Sequence, residues 1–167
     1  IDGLGGADSL TSKCAIIRPS SPEGDLAYTI GNVSIATPII DYSSNCGNLS
    51  AAVGAFAVDE GLVVPQEPVT LIKMFNTNTQ KVILAEVPVK GGKFFPEGDY
   101  SISGVPGRGS KILLDFKNTA GAVTGKILPT GKARERLDMG RGERVEVSIV
   151  DVATPMLNEK GETRADL

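Results

Sequence analysis

The 167-residue chain has no histidine. That absence removes the commonest metal ligand and the side chain that trades protons most readily near neutral pH. Acid/base chemistry therefore falls to Lys, Cys, Asp or Glu. There are only 2 cysteines, Cys14 and Cys46, too few for a disulfide framework. No metal-ligand spacing appears and no leader-like segment is seen, so both are expected as free thiols in a cytoplasmic protein. Aromatic residues make up 5% of the chain against 41% hydrophobic residues, which predicts an aliphatic core. Basic excess is missing too: a net charge of -3 gives no electrostatic reason to expect nucleic acid. No apolar run reaches the about 20 residues that span a bilayer, so no membrane partner is expected. Repeats, low-complexity tracts and heptads are also absent.

What is present centres on Asp41 to Val63, DYSSNCGNLSAAVGAFAVDEGLV. From Leu49 to Val58 only Ser50 is polar, and a helix that is apolar all round must be buried on every side. A central helix over roughly Gly47 to Glu60 is predicted, with Ser43, Ser44 and Asn45 as cap residues and Gly61 as a stop. The segment Asn45-Cys46-Gly47-Asn48 places a thiol and unpaired backbone N–H groups at the positive end of the helix dipole, where an anion is favoured. Gly47 leaves room for a ligand to approach the backbone.

Around that helix the chain reads mainly as β-structure. Ile1 to Ser12 is a Gly-rich loop. Cys14 to Ile17 reads as a short strand ended by the turn-rich RPSSPEGD, with Lys13 at the loop-to-strand junction. Leu26 to Ile30 and Val33 to Ile35 are β-like runs interrupted by Gly31-Asn32. Val69 to Phe75 and Lys81 to Val89 read as two strands joined by the polar turn NTNTQ, whose asparagines are expected to form the turn rather than bind a ligand. A short strand at Tyr100 to Ile102 and another at Ile112 to Phe116 follow. Arg134 to Arg144 has the mixed charge of a solvated linker. Val145 to Val152 is a β-branched alternation, and from Asn158 to Leu167 a mobile tail is expected.

The words SSNCGN, together with IDGLGGADSLTSK, NTNT, GKILPTG and VEVSIVDVATP, resemble the PrpF family, whose members include 2-methylaconitate isomerase, methylitaconate isomerase and 4-oxalomesaconate tautomerase. The similarity runs from Ile1 to about Pro155 in the family's order. It implies an α+β, diaminopimelate epimerase-like half, in which a mixed or antiparallel sheet wraps a central apolar helix. It further implies an N-terminal domain over 1–144, a crossover strand and tail over 145–167 leading towards a second domain, and a fragment of a protein about twice as long.

The activity implied is a cofactor-independent 1,3-allylic proton shift in an unsaturated di- or tricarboxylate. No metal and no other cofactor is called for. Lys13 matches the family's proton-transfer lysine, and a lysine acting as base needs burial or a neighbouring cation. Cys46 matches its cysteine and is expected on the opposite face of the substrate. The N–H groups of Gly47, Asn48 and Leu49, aided by the side chains of Asn45 and Asn48 and less directly by Ser12, are expected to hold a carboxylate. The partner is then a small polycarboxylate, and a homo-oligomer is compatible with the sequence. Two alternatives stay open: an amino-acid epimerase of the same fold with paired thiols, and a non-catalytic fragment retaining the anion-binding helix end.

Overall fold

The computed structural model describes residues 10–140, 142–159 and 162–164. The Gly-rich loop expected at the start of the chain lies, up to residue 9, outside the described residues. The chain divides into two compact units, the first ending at Asn118 and the second beginning at Thr119.

The first unit is a mixed sheet carrying one helix. Its strands are β1 (Lys13–Ser21), β2 (Gly24–Val33), β3 (Ile40–Asp41), β4 (Val69–Asn76), β5 (Lys81–Lys90), β6 (Lys93–Phe94) and β7 (Leu113–Asp115), and α1 (Gly47–Asp59) enters between β3 and β4. The order is β1-β2-β4-β5-β6, with β3 added to β2 and β7 to β5. All pairs are antiparallel except β2 with β4, which run parallel from Leu26↔Met74 to Tyr28↔Asn76. On β4, buried Thr70, Ile72 and Met74 alternate with exposed Val69, Leu71 and Lys73, the period-two signature of a sheet with one face on a core. Leu26, Tyr28, Ile30, Ile72, Met74, Ile83 and Val87 form that core with Val53, Ala57 and Val58 of α1. Each fully buried Val or Ile contributes about 1.5–3 kcal/mol.

Several expected boundaries move, each for a local reason. Strand β1 runs on through Pro19 to Ser21 instead of ending at Ile17. Among the described residues it pairs only with β2, and an edge strand tolerates a proline because one side of it needs no donor. Strand β2 passes unbroken through Gly31. A Cβ there would lie 2.8 Å from Cys14 Sγ and 2.9 Å from Ile40 Cγ2, so this glycine marks close packing rather than a turn. The strand expected at Tyr100 to Ile102 reduces to an isolated bridge between Tyr100 and Gly109.

The helix also differs from expectation within this chain. One face, with Ser50, Val53, Gly54, Ala57 and Val58, is buried on the sheet. A Cβ at Gly54 would come within 2.9 Å of Val87 Cγ2 on β5, so glycine sets the closeness of helix and sheet. The opposite face is open, with Ala52 exposed and Phe56 50% exposed. Covering on every side is therefore not achieved by the described residues. The end of α1 falls as the sequence indicates: Glu60 caps it and Gly61 follows at φ 66.

The second unit is an antiparallel sheet of β8 (Glu135–Gly140), β9 (Glu143–Asp151), β10 (Pro155–Glu159) and β11 (Glu162–Arg164), paired in the order β11-β10-β9-β8. The mixed-charge stretch expected as a linker is thus strand β8, with half-buried Glu135 and Leu137 alternating with exposed Arg136 and Asp138. The segment expected as a tail, from Asn158, carries the end of β10 and all of β11. The division expected after residue 144 falls inside β9. Buried Asp151 accepts from the N–H groups of Val123 (2.9 Å) and Thr124 (2.7 Å) and from the Thr124 hydroxyl (2.8 Å), which ties the Gly121–Gly131 turns to β9.

Candidate active site

Strand alternation decides which side chains β1 presents to the helix. Ala15 and Ile17 pack with the core beneath α1. Lys13, two residues earlier, shares their face, while Cys14 and the exposed Ile16 turn to the other. At the helix end Cys46 is the N-cap, with extended backbone at φ -122 and ψ 110. The two elements meet there: Lys13 Nζ lies 3.5 Å from Cys46 Sγ, both partly buried. Cys14 faces away from this pairing, its Sγ packed towards Gly31 of β2, so the described residues bring one thiol, that of Cys46, to Lys13.

At 3.5 Å the two groups touch in this structure, whereas a carbon chain held between them would need about 3.5 Å on each side.

The first hydrogen bond of α1 is from the Ser50 N–H to the Cys46 carbonyl, 2.9 Å. The N–H groups of Gly47, Asn48 and Leu49 precede it, and among the described residues no side-chain hydrogen bond caps this end. Gly47 and Asn48 are exposed and Leu49 is half-buried. A Cβ at Gly47 would meet nothing closer than Phe116 Cζ at 3.7 Å, so packing does not demand glycine there; its absent side chain keeps the helix end open. Ser12 is enclosed, 1% exposed, and its carbonyl accepts from the Val33 N–H at 2.8 Å. It is the member of the expected set that lies least accessible to a ligand.

Asn45 is held from below by residues that the sequence analysis did not assign to the site. Its Oδ1 accepts from Asn76 Nδ2 (3.1 Å), Tyr28 OH (3.2 Å) and Ser50 OH (3.1 Å). Tyr28 and Ser50 are also 2.8 Å apart, and Ser50 reaches the Cys46 carbonyl at 2.9 Å. Burial pushes the Tyr28 phenol up to about 12, against the opposing hydrogen bonds from Ser50, Asn76 and Asn45. Ahead of the cap, Asp41 accepts from the N–H and hydroxyl of Ser43, which hold its carboxyl below the usual carboxylate range. The sequence signals for this network were Ser50, the lone polar residue of an apolar run, and the NTNT motif that begins at Asn76.

A separate groove of about 500 Å³ lies between β1 and the open face of α1, lined by Ala15, Ile17, Leu49, Val53, Phe56 and Leu62 among others. It contains neither Lys13 nor Cys46, and its walls, apolar except for the anionic Glu60, offer nothing to a polycarboxylate. At the helix end an amine and a thiol lie within proton-transfer reach of each other, beside backbone donors suited to a carboxylate. No helix among the described residues is long and apolar enough to cross a membrane.

Comparison with known proteins bears on this arrangement. The chain is 52% identical to a 3-methylitaconate isomerase of Eubacterium barkeri, over 94% of this chain and 41% of the relative. It is 42% identical to a 4-oxalomesaconate tautomerase of Pseudomonas putida, over 94% of this chain and 42% of the relative. The crystal structure of a methylitaconate-delta-isomerase superposes with a TM-score of 0.78 at 52% identity, covering 94% of this chain and 41% of that one. The chain thus spans about two fifths of the length of these relatives. The family model of the PrpF protein matches residues 1–163, and the chain belongs to the PrpF family.

Proposed function

We propose that the full-length protein to which this chain contributes is a cofactor-independent isomerase, moving a proton between the ends of an allylic system in an unsaturated di- or tricarboxylate of the 2-methylaconitate, methylitaconate or 4-oxalomesaconate type. The observation that carries this is the contact of Lys13 with Cys46 at an uncapped helix N-terminus. The names of the relatives support the substrate class.

In this mechanism a substrate carboxylate sits on the N–H groups of Gly47, Asn48 and Leu49. The Lys13 amine takes a proton from the carbon next to a carboxylate. The electron pair delocalises through the double bond onto carboxylate oxygens, where the helix end opposes the developing charge. The proton then returns to the far carbon, so the double bond moves and the composition is unchanged. Lys13 gives this proton back and so ends as the amine it began as, while Cys46, touching Lys13, exchanges protons with it in between. Small polycarboxylates are the partners in this scheme, and the cytoplasm is where it places the enzyme.

The test is incubation of the full-length protein with each acid in deuterated water, with no cofactor added, followed by NMR. Conversion of one isomer to the other, with deuterium entering at carbon, is the expected result. Exchange confined to the α-proton of an amino acid would replace this proposal with an epimerase.

A further inference from the structure

We infer that the Asn76-Thr77-Asn78-Thr79 turn fixes which end of the Asn45 amide faces the ligand, making Asn45 a hydrogen-bond donor to the bound carboxylate and Asn76 its positioning residue; this rests on the isomerase reading of the same site. A carboxamide is ambiguous by itself, since one end accepts and the other donates. Backbone groups remove the ambiguity, because an N–H can only donate and a carbonyl can only accept.

Two backbone anchors start the chain of logic. The Thr79 N–H donates to Asn76 Oδ1 at 2.9 Å, so the other end of Asn76 is its NH2. The Ile30 N–H donates to Asn78 Oδ1 at 2.8 Å, while Asn78 Nδ2 donates to the carbonyls of Ile30 and Tyr42, each at 2.8 Å. The Asn76 NH2 therefore meets two acceptors, Asn78 Oδ1 and Asn45 Oδ1, both at 3.1 Å. A reversed Asn45 would set NH2 against NH2 in a place where Asn76 is fully buried. The Asn45 oxygen is thus committed to the network.

The two ends of a planar amide point apart by about 120°, so the Asn45 NH2 is turned away from the network. It has no hydrogen-bond partner among the described residues, and Asn45 is half-buried next to Cys46. A carboxylate, which only accepts, is favoured by this end and repelled by the other. The turn motif, 31 residues away in sequence from Asn45, thereby contributes to specificity without touching the ligand.

The test compares KM and kcat in the full-length protein for wild type, Asn76→Asp, Asn45→Asp and Asn45→Ala, alongside calorimetric binding of methylsuccinate, a saturated dicarboxylate that cannot isomerise. In Asn76→Asp the oxygen bonded to Thr79 is kept, but the second oxygen can only accept, so the Asn45 amide turns over. KM should rise by about tenfold or more, the scale of a lost charge-assisted hydrogen bond, with kcat within about threefold. A merely structural role would lower the active fraction and leave KM unchanged. Asn45→Asp presents an oxygen whichever way it turns and should bind methylsuccinate more weakly than Asn45→Ala. If Asn76→Asp does not fold, this pair decides. Equal binding by Asn45→Asp and Asn45→Ala, or an unchanged KM in Asn76→Asp with normal turnover, overturns the inference and leaves the isomerase reading standing. Methylsuccinate binding that follows the predicted order in a protein without isomerase activity supports the inference and removes that reading. A wild type that neither turns over nor binds methylsuccinate overturns both.

Discussion

Lys13 Nζ and Cys46 Sγ lie 3.5 Å apart although 33 residues separate them in sequence. The register of three strands brings this about. Lys13 pairs with Asn32, and Asn32 pairs with Asp41, so the start of β1 and the end of β3 stand on one line across the sheet. Asp41 then holds the turn through Ser43 that leads to Cys46. A slip of one residue in β1 would move Lys13 to the other face, so the site depends on the same pairing that builds the core.

Gly47→Ala separates site from fold. A Cβ fits there, with its nearest neighbour at 3.7 Å, and alanine favours a helix. The melting temperature should not fall, while KM for the carboxylate rises because the methyl group occupies the approach to the N–H groups. Thermal melts and steady-state kinetics check this; a lowered melting temperature with unchanged KM would show that Gly47 serves the fold.

Val53→Asp tests the core. Val53 is 1% exposed against the sheet, and an unpaired carboxylate there costs at least several kcal/mol, comparable with the whole stability of a small domain. Circular dichroism should report loss of the folded state. A cooperative melt near that of wild type would mean the helix does not lie where the structure puts it.

Tyr28 gives a pH signature. Its folded-state pKa of about 12 exceeds the ordinary value near 10. The folded state keeps its proton where the unfolded state releases it, so stability is fully present below about pH 10 and declines between about pH 10 and 12, by up to about 1.4 kcal/mol per pH unit. Denaturant melts across that window should fall more steeply for wild type than for Tyr28→Phe. Parallel curves would contradict the buried phenol.

The helix was legible because an apolar decapeptide with glycine behind it admits few alternatives; the caps expected at Ser43, Ser44 and Asn45 were not found, since Cys46 is the N-cap and among the described residues no side-chain bond caps it. Strands β4 and β5 were legible from their alternation and the polar turn between them. Strand lengths at β1 and β2 were not, since Pro19 and Gly31 read locally as breaks and only an edge position or a close neighbour explains them. The asparagines of the turn were read correctly as turn formers. Their link to Asn45 was hidden, because a contact between side chains 31 residues apart leaves no periodicity in the sequence. Apolarity all round predicted cover on every side of α1, whereas the described residues leave the face with Ala52 and Phe56 open.

The most direct test of the account is solvent deuterium exchange into the substrate carbon by full-length Lys13→Ala, measured by NMR beside wild type and Cys46→Ala. With Lys13 as the proton-transfer group, Lys13→Ala should exchange at least about 10²-fold more slowly. Cys46→Ala should lose less, because the N–H groups that hold the carboxylate survive. Exchange by Lys13→Ala at the wild-type rate would contradict the mechanism.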